Sequence, residues 1–357
     1  MLDCRELELW DEQQTRQWDY FVQKHPCGWL CHLTDWYQIL EKSFSQIKAH
    51  ILVVNKGDDI VAGLPLYEVT SLYNGRRLVS IPLATLSDPL AVSDEQLQKL
   101  LQNAVRLGRD YGSTYLEVRT RETVPLMKGL GIKPFNSSFV NHFLYLKNRP
   151  EDLLRTFDRS CVRQRIARAE KSGISVRIME SDQDVTDFYR LYVITRRRIG
   201  LPPIPMAFVR SMAEVLCTKG KAKMYLAIHQ GIPIAGLFVL KYKNRVSAEI
   251  LGTDDRFMKV SPNHYLFWQA IKEACQEGYE IFDFGRTDRA NSSLMDFKAR
   301  WGTQVIEMPI YHLPERNMGR SDLRFERYYL EFAKRAIRHM PVSICVKFGA
   351  IVYRHFL

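Results

Sequence analysis

The chain has 357 residues, 46% of them hydrophobic and 25% charged, with a formal net charge of +11. That length suits about two domains, and the composition excludes a disordered chain, a collagen-like repeat and a small disulfide scaffold. Residues 155–177 carry a net +5 and residues 316–357 a net +6, so the rest is neutral and the basicity points to anionic partners at two places, or to two solvated helix faces.

Taken in chain order, MLDCRELELW is acidic, with no apolar run behind a basic stretch, and is not expected to be a secretory signal. The seven irregularly spaced cysteines read as reduced cytoplasmic thiols. Cys27 and Cys31 lie near His25 and His32, but no second ligand pair follows, so no structural metal is expected. AHILVVNKGDDIVAGLPLYEV predicts strand, turn, strand, and a helix is expected from Asp94 to Arg109, with Gly112 before the buried strand TYLEVRT. Residues 151–172 read as one helix stopped at Gly173 before the strand SVRIM. Asp182 to Arg198 reads as another, closed at Gly200 ahead of a stiff LPPIP loop.

MYLAIHQGIPIAGLFVLKY repeats the hairpin, Val61-Ala62-Gly63 matching Ile234-Ala235-Gly236. A helix from Pro262 to Glu277 then leads through Gly278 to EIFDFGRT, where Arg286-Thr287 matches Arg119-Thr120. Matches in the same order argue for duplication. They predict two α+β domains, each a mostly antiparallel mixed sheet flanked by helices. The expected boundaries are 1–150, 151–315 and a tail at 316–357. In the tail, Phe325, Tyr329, Phe332, Ala333, Ala336, Ile337 and Met340 line one helix face among basic residues. That pattern suits docking on an anionic membrane surface or packing on the protein body. No apolar run is long enough to span a bilayer.

The densest chemistry lies in FDFGRTD, Asn291 and FKARWG. Asp283 sits on a strand that ends at Gly285, and Lys298 lies on the short helix after the following loop. Arg286, Lys298 and Arg300 suit an anion or a developing oxyanion, with Asp283 or Asp288 to orient one of them. Of Arg196, Arg197 and Arg198, one is expected to turn into a site. Asn263 is placed to cap the helix it begins. The absence of GxSxG, Walker, GxGxxG and HExxH patterns counts against a serine hydrolase, a nucleotide kinase and a zinc protease.

These segments, SCVRQRIARAEKSGISVRI, FYRLYVITRRRIGLPPIP, GIPIAGLFVL and GYEIFDFGRTD with FKARWG, resemble the FemAB-like peptidyltransferase family over nearly the whole chain. Trp36 to Leu40, AGLPL and SIPLATLSDPLAV extend the likeness into the first half, most closely toward members associated with exopolysaccharide gene clusters. The resemblance implies tandem GNAT (acyl-CoA N-acyltransferase) domains and cytoplasmic acyl transfer to an amine of a peptidoglycan or exopolysaccharide precursor. The donor would be aminoacyl-tRNA or acyl-CoA, without a metal. Lys298, after Phe297, matches the family's catalytically important lysine, with Asp283 and Arg286 beside it. Arg196, Arg197 and Arg286 are the candidates for the phosphates of a lipid- or nucleotide-linked sugar acceptor, and Asn291, Arg300, Phe297, Trp301 and Asn263 for shaping the substrate site. Arg256–Pro262 lacks the glycines of the GNAT pyrophosphate loop, which counts against acetyl-CoA. The competing readings are a CoA-dependent N-acetyltransferase of a small molecule or amino sugar, and a non-enzymatic binder of anionic lipid or nucleic acid.

Overall fold

The computed structural model describes residues 2–71, 75–147, 149–314 and 333–356. Contacts divide them into two units. The first holds residues 2–140, 306–314 and 354–356, the second 141–305 and 333–353. The division is not colinear, because a late strand returns to the first sheet.

In the first unit the order is β1 (Leu2–Glu6), α1 (Glu12–Lys24), α2 (Thr34–Ser43), β2 (Lys48–Lys56), β3 (Asp59–Ser71), β4 (Gly75–Ser80), α3 (Asp94–Asp110), β5 (Leu116–Arg119) and α4 (Val124–Gly129). Among the described residues the sheet runs β1-β2-β3-β4-β5, closed by the returning strand Ile310–Leu313. β1 to β4 pair antiparallel, whereas β4 and β5 pair parallel. A parallel pair needs a crossover, and α3 supplies it. Ser93 caps α3 by accepting from the Gln96 amide, and Leu97, Leu100, Leu101 and Ala104 turn one face of it onto Leu64, Leu78, Leu116 and Val118.

The second unit repeats the plan. It contains β6 (Phe139–Tyr145), α5 (Pro150–Thr156), α6 (Gln164–Lys171), β7 (Ser175–Ile178), α7 (Asp182–Ile199), α8 (Met206–Met212), β8 (Ala222–His229), β9 (Ile232–Tyr242), β10 (Arg245–Thr253), α9 (Pro262–Gln276), β11 (Ile281–Asp288), α10 (Ser292–Ala299) and β12 (Gln304–Glu307). The strand Ile310–Leu313 is then β13. The sheet order is β12-β6-β11-β10-β9-β8-β7, with β7 to β10 antiparallel and β10–β11 parallel. Its core packs Leu266, Ala270, Ile271 and Ala274 of α9 on Val246, Phe282 and Phe284. Both sheets are mixed, mostly antiparallel and flanked by helices, as the sequence predicts.

The duplication is visible in side chains. A Cβ on Gly63 would run into the Trp18 ring, and one on Gly236 into the Phe188 ring, so each hairpin keeps a glycine where a helix aromatic lies on the strand. The match of Arg119-Thr120 to Arg286-Thr287, however, is one residue out of structural register. Leu78↔Leu116 face α3 as Val246↔Phe282 face α9, so Glu117 corresponds to Asp283 and Arg77 to Arg245. A one-residue slip would exchange the two faces of the strand.

One local expectation differs from what is found. The helix expected over 151–172 is broken. Phe157 turns into the core against Trp268 and Trp301, and Asp158 restarts the chain by accepting from the Cys161 amide, opening a π-turn at Arg159–Arg163 before α6. A second π-turn, Ala213–Cys217, follows α8 in a stretch with no sequence forecast. The amphipathic helix of the tail falls mostly outside the described residues, Phe325, Tyr329 and Phe332 included. Residues 333–339 are helical, and the apolar end forms a further helix, Val342–Phe356. One face of that helix is fastened to the second unit: Gly349 lies against Pro203, where a Cβ would clash, and Tyr353 receives a hydrogen bond from Arg196.

Candidate active site

β10 and β11 pair in parallel only from Arg245↔Ile281 to Ser247↔Asp283. Beyond that point a bulge between Ala248 and Ile250 bends β10, while Gly285 takes a φ of 75° in β11. A bulge re-aims side chains and weakens pairing, and here two parallel strands part beside a helix end.

Asp283 lies at the fork and is fully buried. Its Oδ1 accepts from Asn141 Nδ2 at 2.7 Å and from the Gly285 amide at 2.7 Å, and its Oδ2 pairs with Arg245 Nη1 at 3.1 Å. These donors answer both oxygens of the buried carboxylate, as burial of such a group requires.

Asn291 caps α10 by accepting from the Leu294 amide. In the last turn of α10, Lys298 is only 5% exposed. Its Nζ donates to Gly285 O at 2.8 Å and Arg286 O at 3.3 Å. Burial pushes its pKa down to about 8, against the upward pull of Asp283 and Glu249. Thr303 Oγ1 donates to Lys298 O at 3.1 Å and lies 3.2 Å from His142 Nδ1, while His142 Nε2 is 3.3 Å from Met295 Sδ. Burial and the Lys298 charge lower His142 to about 4 despite Asp283, so its ring is neutral at physiological pH.

The neighbours of Lys298 in sequence, Phe297 and Trp301, belong to an aromatic cluster. Trp301 is fully buried and stacks on His264 at 5.9 Å, with Phe267, Phe284 and Phe297 around it. Burial and Arg165 lower His264 to about 4, against a hydrogen bond to the Cys161 backbone. Such a low-dielectric surround strengthens each interaction a charged group makes.

Of the sequence-selected residues, Lys298, Asp283, Phe297 and Trp301 and the Arg286 carbonyl come together here. The Arg286 side chain itself is exposed. Arg300 reaches the other way, to Cys161 Sγ at 3.0 Å and Asp158 at 3.8 Å. Asn263 does not cap α9, because Ser261 holds the cap position; its Oδ1 accepts from the Thr253 hydroxyl at the end of β10. Arg196 donates to Pro202 O at 3.0 Å and to Tyr353, and Arg198 pairs with Asp255 at 3.0 Å. Arg197 is half-buried in the last turn of α7. Sequence reasoning did not select Asn141, His142, Arg245, Glu249 or Thr303. The polar pair Asn141-His142 inside an otherwise apolar strand was the one available signal.

The turn before α9 would have to meet the pyrophosphate of an acyl-CoA, and it does not fit that group. It is a 3-10 turn over Asp255–Val260 whose amides are spent internally. Phe257 N donates to Asp254 O, Ser261 N to Met258 O and Arg256 N to Asp254 Oδ1, and Pro262 begins the helix without an N–H.

Residues 158–299 match the family model of the acetyltransferase (GNAT) domain. Among solved structures, FemX aligns with a TM-score of 0.69 at 16% identity, covering 86% of this chain and 96% of that one. A tandem GNAT protein from the clavulanic acid biosynthesis pathway aligns at 0.58 and 14%, covering 87% and 98%. The C-terminal domain of a putative lysylphosphatidylglycerol synthetase from Agrobacterium fabrum aligns at 0.54 and 12%, covering 84% and 91%. No curated protein sequence matches. The chain thus has the fold of two tandem GNAT-like domains.

Proposed function

We propose that the protein is an acyl- or aminoacyltransferase acting on an amine of a cell-envelope or exopolysaccharide precursor, with the fork of the second domain as its active site. Lys298 carries the reading. An ammonium has three N–H donors, and two are held by Gly285 O and Arg286 O. The third is left to the substrate. When the acceptor amine attacks the acyl carbonyl, the carbonyl oxygen becomes an oxyanion that this N–H stabilises. The C–N bond forms, the bond to the leaving oxygen or sulfur breaks, and the amine proton passes to the departing group. Asp283 fixes the Gly285 turn through its amide and so positions the carbonyl that holds Lys298. The fold shared with FemX and the lysylphosphatidylglycerol synthetase domain supports an aminoacyl donor, and the exposed Arg286 suits the phosphates of a sugar-linked acceptor. The site of action is the cytoplasm, with peripheral contact at the inner membrane face through the C-terminal helix.

The test is transfer of label from a pool of charged tRNA to nucleotide- and lipid-linked amino-sugar or peptide acceptors. Lys298→Met is expected to lose roughly 100-fold or more in rate, the scale of one oxyanion donor; wild-type turnover in that variant would remove the assignment. The GNAT match over 158–299 favours a second reading, a CoA-dependent N-acetyltransferase. That reading requires acetyl-CoA in excess to raise the melting temperature. The spent amides of the 255–260 turn predict no change.

A further inference from the structure

The strand fork of the second domain has a counterpart in the first, and the two differ in how their charges are balanced. Residues paired across neighbouring strands share a face. Arg77 pairs with Val69, Val79 with Glu117, and Glu117 with His312, so alternation puts Arg77, Glu117 and His312 on the face opposite α3. In the second domain the corresponding Arg245 is neutralised by Asp283 at 3.1 Å. In the first, Glu117 is claimed by Arg119, through Nε at 2.8 Å and Nη2 at 2.6 Å, and His312 Nε2 stands 3.7 Å from it. Arg119 occupies the position of Gly285, which has no side chain to compete for the acid.

Arg77 is therefore left over. It is 9% exposed, and its Nε and Nη1 are buried without a hydrogen-bond partner among the described residues. His312 Nδ1 is buried in the same condition, its ring stacked on Phe135 at 3.8 Å. Two guanidinium charges thus share one carboxylate. Burial alone would raise the Glu117 pKa, yet Arg119, His312 and Arg77 hold it down at about 2. A buried cation without a counter-ion is costly. The side chain of Arg119 is 22% exposed, which leaves this cluster open to solvent on one side.

We propose that Arg77 forms an oxyanion site in the first domain, taking a phosphate or carboxylate group of a ligand, with Arg119 at its mouth. It does not rest on the role given to Lys298. A domain of the same fold thereby holds a substrate's anionic group while lacking an equivalent of the Lys298 fork, since the chain after β5 enters α4 with no buried lysine in it.

The experiment is thermal unfolding of the full chain at constant ionic strength, with chloride exchanged for inorganic phosphate in one arm and acetate in the other. Wild type is expected to gain roughly 2–4 °C with the anion that fits, and the responding arm identifies phosphate or carboxylate chemistry. Arg77→Met is expected to fold, to melt no lower than wild type in chloride because an uncompensated charge has gone, and to show no anion response. Arg76→Gln, on the exposed neighbour, should keep the response. Absence of a shift in both arms, an equal shift in Arg77→Met, loss of the shift in Arg76→Gln, or a lower melting point or unfolding of Arg77→Met in chloride would each overturn the site.

Discussion

In the transfer proposed above the chemistry turns on Lys298, and its protonation would give that reaction a direction in pH. With its pKa at about 8, the ammonium that donates to an oxyanion is lost as pH rises through that value. The transfer rate is expected to fall above about 8, with no rising limb between mildly acidic and neutral pH, because His142 and His264 are already neutral there. A rate that instead climbed through the Lys298 pKa would make the neutral amine a general base. Stability runs the other way. Below the unfolded pKa of lysine the unfolded chain binds the proton more tightly than the folded one, so stability gains from Lys298 as pH rises from about 8 toward the ordinary lysine range. Denaturant midpoints should show that rise in wild type and not in Lys298→Met. Lys298 and Asp283 were legible as a motif because they lie 15 residues apart around a glycine-marked turn. Asn141 and Arg245 were not, since only the sheet brings them to Asp283, and Asn141 is 142 residues away from it in sequence.

Elements were legible where periodicity and caps agree. Both hairpins, α3, α7 and α9 fall within a residue or two of their expected bounds. The break at Phe157 was not, because helix propensity continues through it and only the aromatic core it joins pulls it out of line. The paired glycines give this scale a test. Gly236→Ala pushes a methyl into the Phe188 ring and should cost about 3 kcal/mol through overpacking. Gly173→Ala, with nothing within 4 Å of the new Cβ but a φ of 71°, should cost only about 1 kcal/mol for its backbone. Chemical denaturation of the two variants checks the order; equal losses would mean that the close approach of α7 to β9 is not what holds that glycine.

For the whole molecule, the charge surplus acquires a shape. Part of the first basic segment is answered locally, Arg177 by Asp184 and Arg155 by Asp152. The described part of the tail, residues 333–356, contains Lys334, Arg335, Arg338, Lys347 and Arg354 and no acidic residue of its own. Sequence left membrane docking and packing on the body as alternatives. The helix Val342–Phe356 has a packed face and an exposed one, with Cys345 and Gly349 turned to the protein and Ile344 and Ile351 more than half exposed. No helix of the described residues is long and apolar enough to cross a membrane, so any contact is with a surface. An apolar ridge bordered by cations binds anionic bilayers and releases as salt screens them. In flotation, the protein is expected to rise with vesicles containing phosphatidylglycerol and not with phosphatidylcholine alone. Ile344→Glu with Ile351→Glu should abolish flotation without lowering the melting temperature, because neither side chain touches the packed face. Equal flotation of that variant, or binding indifferent to lipid charge, would confine the helix to its structural role on α7.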